Sequence, residues 1–337
     1  MNRVFSQFVG IAGSLLLLAA CNAAPAAPAG NSSSDAAPAA TAGTLTAIKV
    51  DAVALDGSAE YWKNAAVLTV PTKSTEEGGA AGPDVSLQAA YDGTNVAIRL
   101  EWADTSEGTY SRPWVWDGAK FSRDPEKQDR MALLFPIENN ADFSSKGCAG
   151  ACHNSDADKE KWWMGTEDAG LRLDMWQWTA SSAVPLGLTN DQWVSVQTDP
   201  ADAESATHAD ENTGGGNLSN TNEAKDGPLY MHGTDLAARF IMTGEQVALD
   251  TSKLAVGAKI PTSVLAPFTG SRADIHANSV WKDGKWTVVL MRTLDTGNGD
   301  DLALTPPKAY PFGVAVFDHV DHWEHTVGSE VLTLQWQ

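Results

Sequence analysis

The sequence predicts an all-β protein of the β-sandwich type, and three patterns lead to that prediction. Apolar and polar side chains alternate over short segments, Asp-Gly pairs separate some of these segments, and no long amphipathic helical pattern occurs. Alternation with a period of two gives a strand one buried face and one exposed face. Many short strands with Gly and Asp turns between them are typical of a sandwich.

Two hairpins are the clearest elements, because Asp92-Gly93 and Asp283-Gly284 each stand between two alternating segments. In the first hairpin, Val96, Ile98, Leu100 and Trp102 should be buried and Asn95, Ala97, Arg99 and Glu101 exposed. The paired segments are 85–91 with 95–102 and 279–282 with 285–290, and further strands are predicted at 66–70, 130–136, 171–178, 312–317 and 331–336.

Residues 1–21 have the pattern of a bacterial lipoprotein signal peptide. Arg3 precedes an apolar run over residues 9–18 that is too short to span a bilayer. The ending Leu18-Ala19-Ala20-Cys21 resembles a lipobox, so we expect Cys21 to become the lipidated first residue of the mature protein. An ordinary signal peptide that happens to contain a cysteine is the alternative. Asn22 resembles lipoproteins of the outer membrane, and we expect a lipid-anchored protein in the periplasm or at the cell surface.

Composition divides the remaining chain. Residues 22–43 are mostly Ala, Pro, Ser and Gly, which predicts a disordered tether. Residues 44–337 are expected to form one domain, since a chain of 337 residues with 43% hydrophobic residues can bury a large core. Within it, the polar stretch 198–228 is expected to be an insertion loop that borders the functional site.

The chain is strongly acidic. Its formal net charge is −20 and its pI is about 4.6. This charge argues against nucleic acid or an anionic membrane surface as a partner. A basic protein partner would be favoured.

The motif that points to chemistry is Cys148-Ala149-Gly150-Ala151-Cys152-His153, which contains two of the three cysteines. Two cysteines followed at once by a histidine are the attachment signature of a c-type haem, because two thioethers hold the macrocycle and the imidazole reaches the iron. Three residues separate the cysteines here, so a regular helix would turn His153 away from them. Gly150 and its small neighbours let the backbone return His153 to the iron. The sequence therefore predicts one covalent haem c.

Two other uses of these cysteines stay open. Cys148 and Cys152 could form a disulfide in an oxidising compartment. Zinc is less favoured, because two thiolates and a poorly placed histidine leave a four-coordinate site short of ligands and no second cysteine pair exists.

Fragments along nearly all of the chain after the tether resemble the haem-binding domain of the ethylbenzene dehydrogenase γ-subunit family. Their order and spacing make the likeness specific. The fragments include Arg99-Leu100-Glu101-Trp102-Ala103-Asp104, Asp174-Met175-Trp176-Gln177-Trp178 and Trp281-Lys282-Asp283-Gly284-Lys285-Trp286, and the others lie at 48–50, 55–62, 90–93, 130–136, 185–187, 295–297 and 312–318.

The resemblance implies an immunoglobulin-like or carbohydrate-binding-module-like β-sandwich, with short helical insertions around one haem at an end of the sheets. Members of the family exchange electrons with molybdenum enzymes of the dimethyl sulfoxide reductase group or act as free-standing periplasmic cytochromes. The γ-subunit form has haem b with Met and Lys ligands. This chain instead has the Cys148, Cys152 and His153 motif, and it has Thr179 where many relatives have Lys, so it is more similar to the c-type branch.

The second axial ligand of the iron stays open. Methionine is a common partner of histidine in c-type cytochromes. Met231 is the first candidate, because a distant segment can reach the far side of the macrocycle more easily, and Met164 resembles the position of the family's methionine ligand. Further candidates are Met175, His232 and His208; Met131, Met242 and Met291 are expected to fill the core, and His276, His319, His322 and His325 are expected at the surface.

Tryptophan is abundant, with 13 residues in the chain. A sandwich core explains most of them. Those that flank the attachment motif are predicted walls of the haem pocket, where apolar surroundings tune the potential. They are Trp162, Trp163, Trp176 and Trp178.

These inferences predict an exported, lipid-anchored monohaem c-type cytochrome that transfers single electrons in a periplasmic respiratory chain. It is not expected to be an enzyme by itself. The expected partners are a redox protein, basic or a molybdenum enzyme, and the membrane through the lipid; nucleic acid is excluded. The alternatives are a haem subunit of a molybdenum oxidoreductase of the dimethyl sulfoxide reductase group and a non-haem carbohydrate-binding sandwich with a disulfide between Cys148 and Cys152.

Overall fold

The computed structural model describes residues 43–74, 79–147, 165–199, 203–320, 324–328 and 330–337. The predicted signal peptide and almost all of the predicted tether lie outside these residues. So do several predicted site residues, namely Cys21, Cys148, Cys152, His153, Trp162, Trp163, Met164 and His322.

The described chain consists mainly of short β-strands. Two short helices, α1 (Ala141–Lys146) and α2 (Ala180–Leu186), interrupt them. In chain order the strands are β1 (Thr44–Lys49), β2 (Leu68–Val70), β3 (Thr72–Ser74), β4 (Val85–Tyr91), β5 (Asn95–Ala103), β6 (Trp114–Trp116), β7 (Phe121–Arg123), β8 (Arg130–Pro136), β9 (Leu173–Thr179), β10 (Asn190–Val194), β11 (Thr207–Ala209), β12 (Gly214–Ser219), β13 (Tyr230–His232), β14 (Gln246–Ala248), β15 (Lys259–Ile260), β16 (Ser263–Thr269), β17 (His276–Trp281), β18 (Lys285–Thr293), β19 (Tyr310–Phe317), β20 (Thr326–Gly328) and β21 (Leu332–Trp336).

One hydrogen-bonded path of strands forms two layers. The first layer has the order β17-β18-β5-β4-β1-β21, and β2 pairs with β4; the second has the order β11-β10-β9-β8-β19, with β20 on β19 and β3 on β20. Strand β19 belongs to both layers, because Tyr310 to Phe312 pair with β21 while Gly313 to Phe317 pair with β8. β1 is parallel to both of its neighbours.

The main core lies between these two layers. Leu100 and Trp102 from β5 belong to the same buried cluster as Leu133 from β8 and Trp178 from β9. The Trp178 ring contacts Trp102 and Trp286 edge to face, with centroids 5.8 and 4.9 Å apart, a geometry that aromatic pairs prefer. The predicted β-sandwich is confirmed.

The predicted hairpins are also confirmed. Asp283 and Gly284 have φ values of 53° and 73°, which suit a tight turn between β17 and β18. One face of β5 differs from expectation, because Ala97 is fully buried instead of exposed. It packs in a small cluster with Trp62 and Val289 on the outer face of the first layer.

The polar stretch 198–228 is more ordered than the prediction of an insertion loop. It contains β11 and β12. β11 continues the second layer beside β10, and β12 pairs with β16. Neighbouring strands supply the hydrogen bonds here, and they compensate for the stretch's lack of apolar side chains.

Three small sheets complete the described chain: β12 with β16, β13 with β14, and β15 with β6 and β7. The described residues contain two α-helices, α1 and α2. Neither of them is long and apolar enough to cross a membrane.

Leu100→Ala should lower the free energy of unfolding by about 2 to 5 kcal/mol, because it leaves a cavity between the layers. Leu100 is fully buried. Leu218→Ala, the same chemical change at a side chain that is 57% exposed, is the control and should have little effect. Denaturant unfolding of both variants measures the difference. Equal losses would contradict the placement of the core.

Candidate functional site

The described residues on both sides of the attachment motif lie at the outer face of the second layer; residues 148–164, which contain the motif, are called the attachment section below. Helix α1 precedes it, and the side chain of Asn140 caps this helix by accepting a 2.9 Å hydrogen bond from the Phe143 N–H. The helix ends at Gly147, where a φ of 72° favours glycine. Phe143 is fully buried and anchors the helix against Leu134 and Phe317.

After the attachment section, the described chain resumes on the same face at Gly165. This glycine has a φ of 140°, and a Cβ there would lie 2.4 Å from the Ser195 carbonyl oxygen and 2.9 Å from the Ala206 Cβ. Ala206 belongs to the same apolar cluster as Phe143. The strands of the second layer therefore position the chain on both sides of the predicted attachment residues.

This outer face is apolar. Its buried side chains come from α1 and from strands of the second layer or residues beside them: Ala132, Leu134, Phe143, Leu173, Met175, Val194, Ala206, Ala315, Phe317 and Val327. An apolar wall of this kind suits one side of a haem macrocycle. Among the predicted axial ligands in the described chain, Met175 lies in this cluster and is 3% exposed.

His325 was expected at the surface, and that expectation is wrong. Its side chain is buried, and its ring stacks on Phe317 with centroids 4.5 Å apart. The cluster on the outer face thus has a buried imidazole next to it. The sequence around His325 is polar and contains no alternating pattern that would have indicated burial.

Met231, the first candidate for the axial ligand, lies in a different cluster. Its side chain is 2% exposed and packs with Trp114 and Ile260. Its sulfur accepts a hydrogen bond of 3.2 Å from the Asp250 N–H. These contacts give Met231 a structural role where the small sheets meet.

The two histidine candidates for this ligand also have other contacts. The His208 ring stacks on Trp193 with centroids 4.1 Å apart. The Nδ1 atom of His232 accepts the Asp235 N–H at 3.0 Å, and its Nε2 lies 3.5 Å from a carboxylate oxygen of Glu245. The described contacts do not bring His208 next to Met231 or His232, which are neighbours on β13.

Trp176 and Trp178 lie in the core between the layers. Both side chains are fully buried, on the face of β9 opposite to Leu173 and Met175. Trp178 donates a hydrogen bond of 3.2 Å from Nε1 to the Ser279 hydroxyl oxygen of the first layer. Their described contacts are those of sandwich core residues, and their role as pocket walls stays a prediction.

A buried acidic cluster lies at one edge of this core. Asp129 accepts hydrogen bonds from the Trp286 indole at 2.9 Å and from the Gly108 N–H at 2.7 Å. His319 Nδ1 lies 3.1 Å from its second carboxylate oxygen. Burial and, to a smaller extent, the nearby Asp104 carboxylate raise the pKa of Asp129 to about 7, although the hydrogen bonds from Trp286 and Gly108 lower it.

Asp129→Asn should remove part of the pH dependence of stability. Because the pKa of Asp129 is raised above its unfolded value, the folded protein holds this proton more tightly, and its stability should fall as pH rises from about 4 to about 7. The variant carries no such proton, so its unfolding free energy should fall less over that range. Urea unfolding at several pH values measures this, with the exposed Asp84→Asn as control. A variant with the wild-type slope would contradict the assignment.

A second polar cluster surrounds Arg292 inside the sandwich. The guanidinium Nη1 lies 2.8 Å from Asp174 and 3.0 Å from Asp301, and Nη2 donates to the Leu302 carbonyl at 2.7 Å. Its carbon lies 4.7 Å from the centroid of the Trp176 ring. This cluster was not predicted from the sequence, although a signal exists there: Asp174 alternates in phase with Trp176, and Arg292 with Leu290.

A groove on the outer face of the first layer bears on the carbohydrate-binding alternative. It has a volume of about 770 Å³, and its lining includes Arg99, Asn278 and Thr287. No tryptophan of the described chain lines it. A sugar-binding sandwich would use exposed tryptophan side chains, and this groove offers none among the described residues.

Comparison with known proteins gives one family. The sequence model of the family described as ethylbenzene dehydrogenase matches residues 59–327. No curated protein matches the sequence. Among solved structures, the fold is similar to a carbohydrate binding module family 9 from Caldicellulosiruptor kristjanssonii in complex with cellotriose, with 7% identity, a TM-score of 0.35, and 87% of this chain and 93% of that chain covered. The module from the same organism in complex with glucose has 7% identity, a TM-score of 0.32, and coverages of 87% and 94%.

Proposed function

The chain belongs to the ethylbenzene dehydrogenase family. From that membership, together with the lipobox-like signal sequence and the attachment motif, we propose that it is an exported, lipid-anchored monohaem c-type cytochrome that transfers single electrons. The family fits a subunit of a molybdenum oxidoreductase. The proposed partner is accordingly such an enzyme or another redox protein of a periplasmic respiratory chain. Cys21 would hold the lipid, and residues 22–43 would span the distance to the folded domain.

The attachment motif is the observation that supports this proposal most. Cys148 and Cys152 would hold the macrocycle through thioethers, and His153 would bind the iron. The apolar outer face of the second layer adds support, because Phe143 of α1 before the motif belongs to its cluster and Gly165 after the motif lies against Ala206 of the same cluster. These contacts support a haem at this face.

The second axial ligand is proposed from the placement of the candidates. Met175 lies on the outer face, whereas the Met231 sulfur is already hydrogen-bonded in another cluster. This favours Met175 over Met231 among the described methionines, and Met164 stays a candidate outside the described residues. Bound haem iron would supply a one-electron oxidation and reduction. The chain itself would contribute the two tethers, the orientation of the ring and an apolar shield from water.

The charge of the chain supports a basic partner surface. A net charge of −20 attracts a basic protein over a distance of about one Debye length, ~8 Å at physiological salt. Association should therefore slow as ionic strength rises.

A pyridine haemochrome spectrum of the full chain, matured in a cell that assembles c-type cytochromes, tests the proposal. The expected result is one covalently held haem per chain and a redox titration that fits a single one-electron step. A colourless protein would contradict it. Co-purification with a molybdenum catalytic subunit would assign the chain to an enzyme complex, whereas a free monohaem protein would assign it to the respiratory chain.

A further inference from the structure

The interior of the sandwich contains an excess of carboxyl groups near the free edge of the second layer, beside β9, β10 and β11. Asp174 on β9 and Asp191 on β10 lie on the inner face, because Asp191 is opposite Trp176 in the register, and Asp210 directly follows β11, where its N–H bonds to the Asp191 carbonyl. Their residues are 0%, 0% and 4% exposed. The adjacent positions of these carboxyls follow from the strand pairing.

Arg292 does not balance this charge. Asp174, Asp191, Asp210 and Asp301 are all buried. In the described chain, Arg292 contacts Asp174 and Asp301 within 3.0 Å, and the half-buried Arg272 interacts with Asp210 through its charge but hydrogen-bonds to Asn190 instead. Asp191 lies 3.9 Å from it. Burying a carboxylate without a partner of opposite charge costs on the order of several kcal/mol, because the ion loses its hydration.

Two of these carboxyls also lack hydrogen bonds. Neither oxygen of Asp191 and neither oxygen of Asp210 has a hydrogen-bond partner in the described part of the chain. Buried polar groups are normally paired, so four such oxygens in one place indicate a group that the protein binds there.

The geometry of three carboxyls matches one ion. Asp210, Asp300 and Asp301 each offer an oxygen within 4.8 Å of the others. Oxygen ligands of calcium lie about 2.4 Å from the ion, so two ligands of one ion are at most about 4.8 Å apart. Asp191 and Asp174 form a similar set with Asp301 and lie directly behind it.

We propose that Asp210, Asp300 and Asp301 bind one calcium ion, and that Asp191 lies behind it and contributes negative charge. The ligand set is all oxygen, which suits a hard cation and disfavours zinc or copper. Magnesium demands a near-ideal octahedron and keeps several waters, whereas calcium accepts irregular carboxylate sites that are largely buried. The ion ties the loop before β19 to the free edge of the second layer.

The pKa of Asp210 is consistent with this assignment. Burial is the main cause that raises it to about 8, and the neighbouring Asp300 and Asp301 carboxylates contribute to this rise. The rival explanation is that protons alone neutralise the cluster.

The test uses the full matured chain as purified. Metal analysis should find about one calcium per chain, and chelation with EDTA should lower the melting temperature, which added calcium but not magnesium should restore. Asp210→Asn and the milder Asp300→Asn, at a half-buried site, should each weaken calcium affinity about tenfold or more. Asp84→Asn, an exposed aspartate outside the cluster, should bind calcium as the wild type does. The visible spectrum of the haem should not change in any of these proteins.

Three results would overturn the proposal. The first is a purified protein that contains no calcium and whose melting temperature changes neither on chelation with EDTA nor on addition of calcium. The second is an Asp210→Asn variant that is as stable as the wild type and binds calcium equally well. The third is an equal response to magnesium, which would overturn the assignment to calcium. Because the visible spectrum reports the haem separately, failure here is distinguishable from failure of the proposed electron transfer.

Discussion

Replacing Cys148 and Cys152 with serine should abolish covalent attachment of haem. Serine cannot form the thioethers that hold the macrocycle, although His153 would remain. After acid–acetone extraction, the wild type should keep its haem spectrum on the polypeptide, whereas the double variant should lose essentially all of it. Each single variant should hold haem through one bond at reduced yield.

The control for this change is Ser145→Ala, a substitution in the exposed part of α1 just before the motif. It should mature and retain haem as the wild type does. Haem that stays covalently bound in the double cysteine variant would contradict the proposed attachment. If instead the wild type were colourless and its Cys148 and Cys152 formed a disulfide, the carbohydrate-binding alternative would gain support.

Arg292→Leu should lower the free energy of unfolding strongly. The change leaves the carboxyls of Asp174 and Asp301 buried without their ion pair, and breaking a buried pair typically costs about 3 to 5 kcal/mol. Denaturant unfolding at neutral pH measures the effect. The loss should shrink at low pH, where the carboxyls take up protons.

Arg123→Leu is a matched control for this prediction. Both guanidiniums stack over a tryptophan, Arg292 at 4.7 Å from the Trp176 centroid and Arg123 at 4.8 Å from that of Trp114. Arg123 is exposed and should cost less than about 1 kcal/mol. Similar losses in the two variants would show that the stacking, and not the buried ion pairs, stabilises the fold.

The hairpins could be predicted from the sequence because their determinants are local. Asp92-Gly93 and Asp283-Gly284 provide turn geometry, and alternation in β5 and β18 indicates which face lies against the other layer. β11 and β12 could not be predicted in this way. These two strands form by pairing with β10 and β16, which lie outside the polar stretch, and the stretch itself has no alternating pattern that would indicate them.

The candidate site shows the same division. The motif from Cys148 to His153 predicts haem attachment from its residue types and their order, and this prediction requires no knowledge of the fold. The burial of His325 and the packing of Met231 depend on contacts between distant segments, and no local pattern indicates them. The Arg292 cluster lies between these cases: alternation shows charged residues on buried faces, but only the pairing of β9, β10 and β11 brings them together.

The most direct test is mass spectrometry of the matured wild-type protein, with peptide mapping of the section that contains Cys148 and Cys152. The expected result is one porphyrin joined through both sulfurs on that peptide and none elsewhere. Finding the same peptide unmodified, or with its two cysteines joined to each other, would contradict the assignment of this chain as a c-type cytochrome.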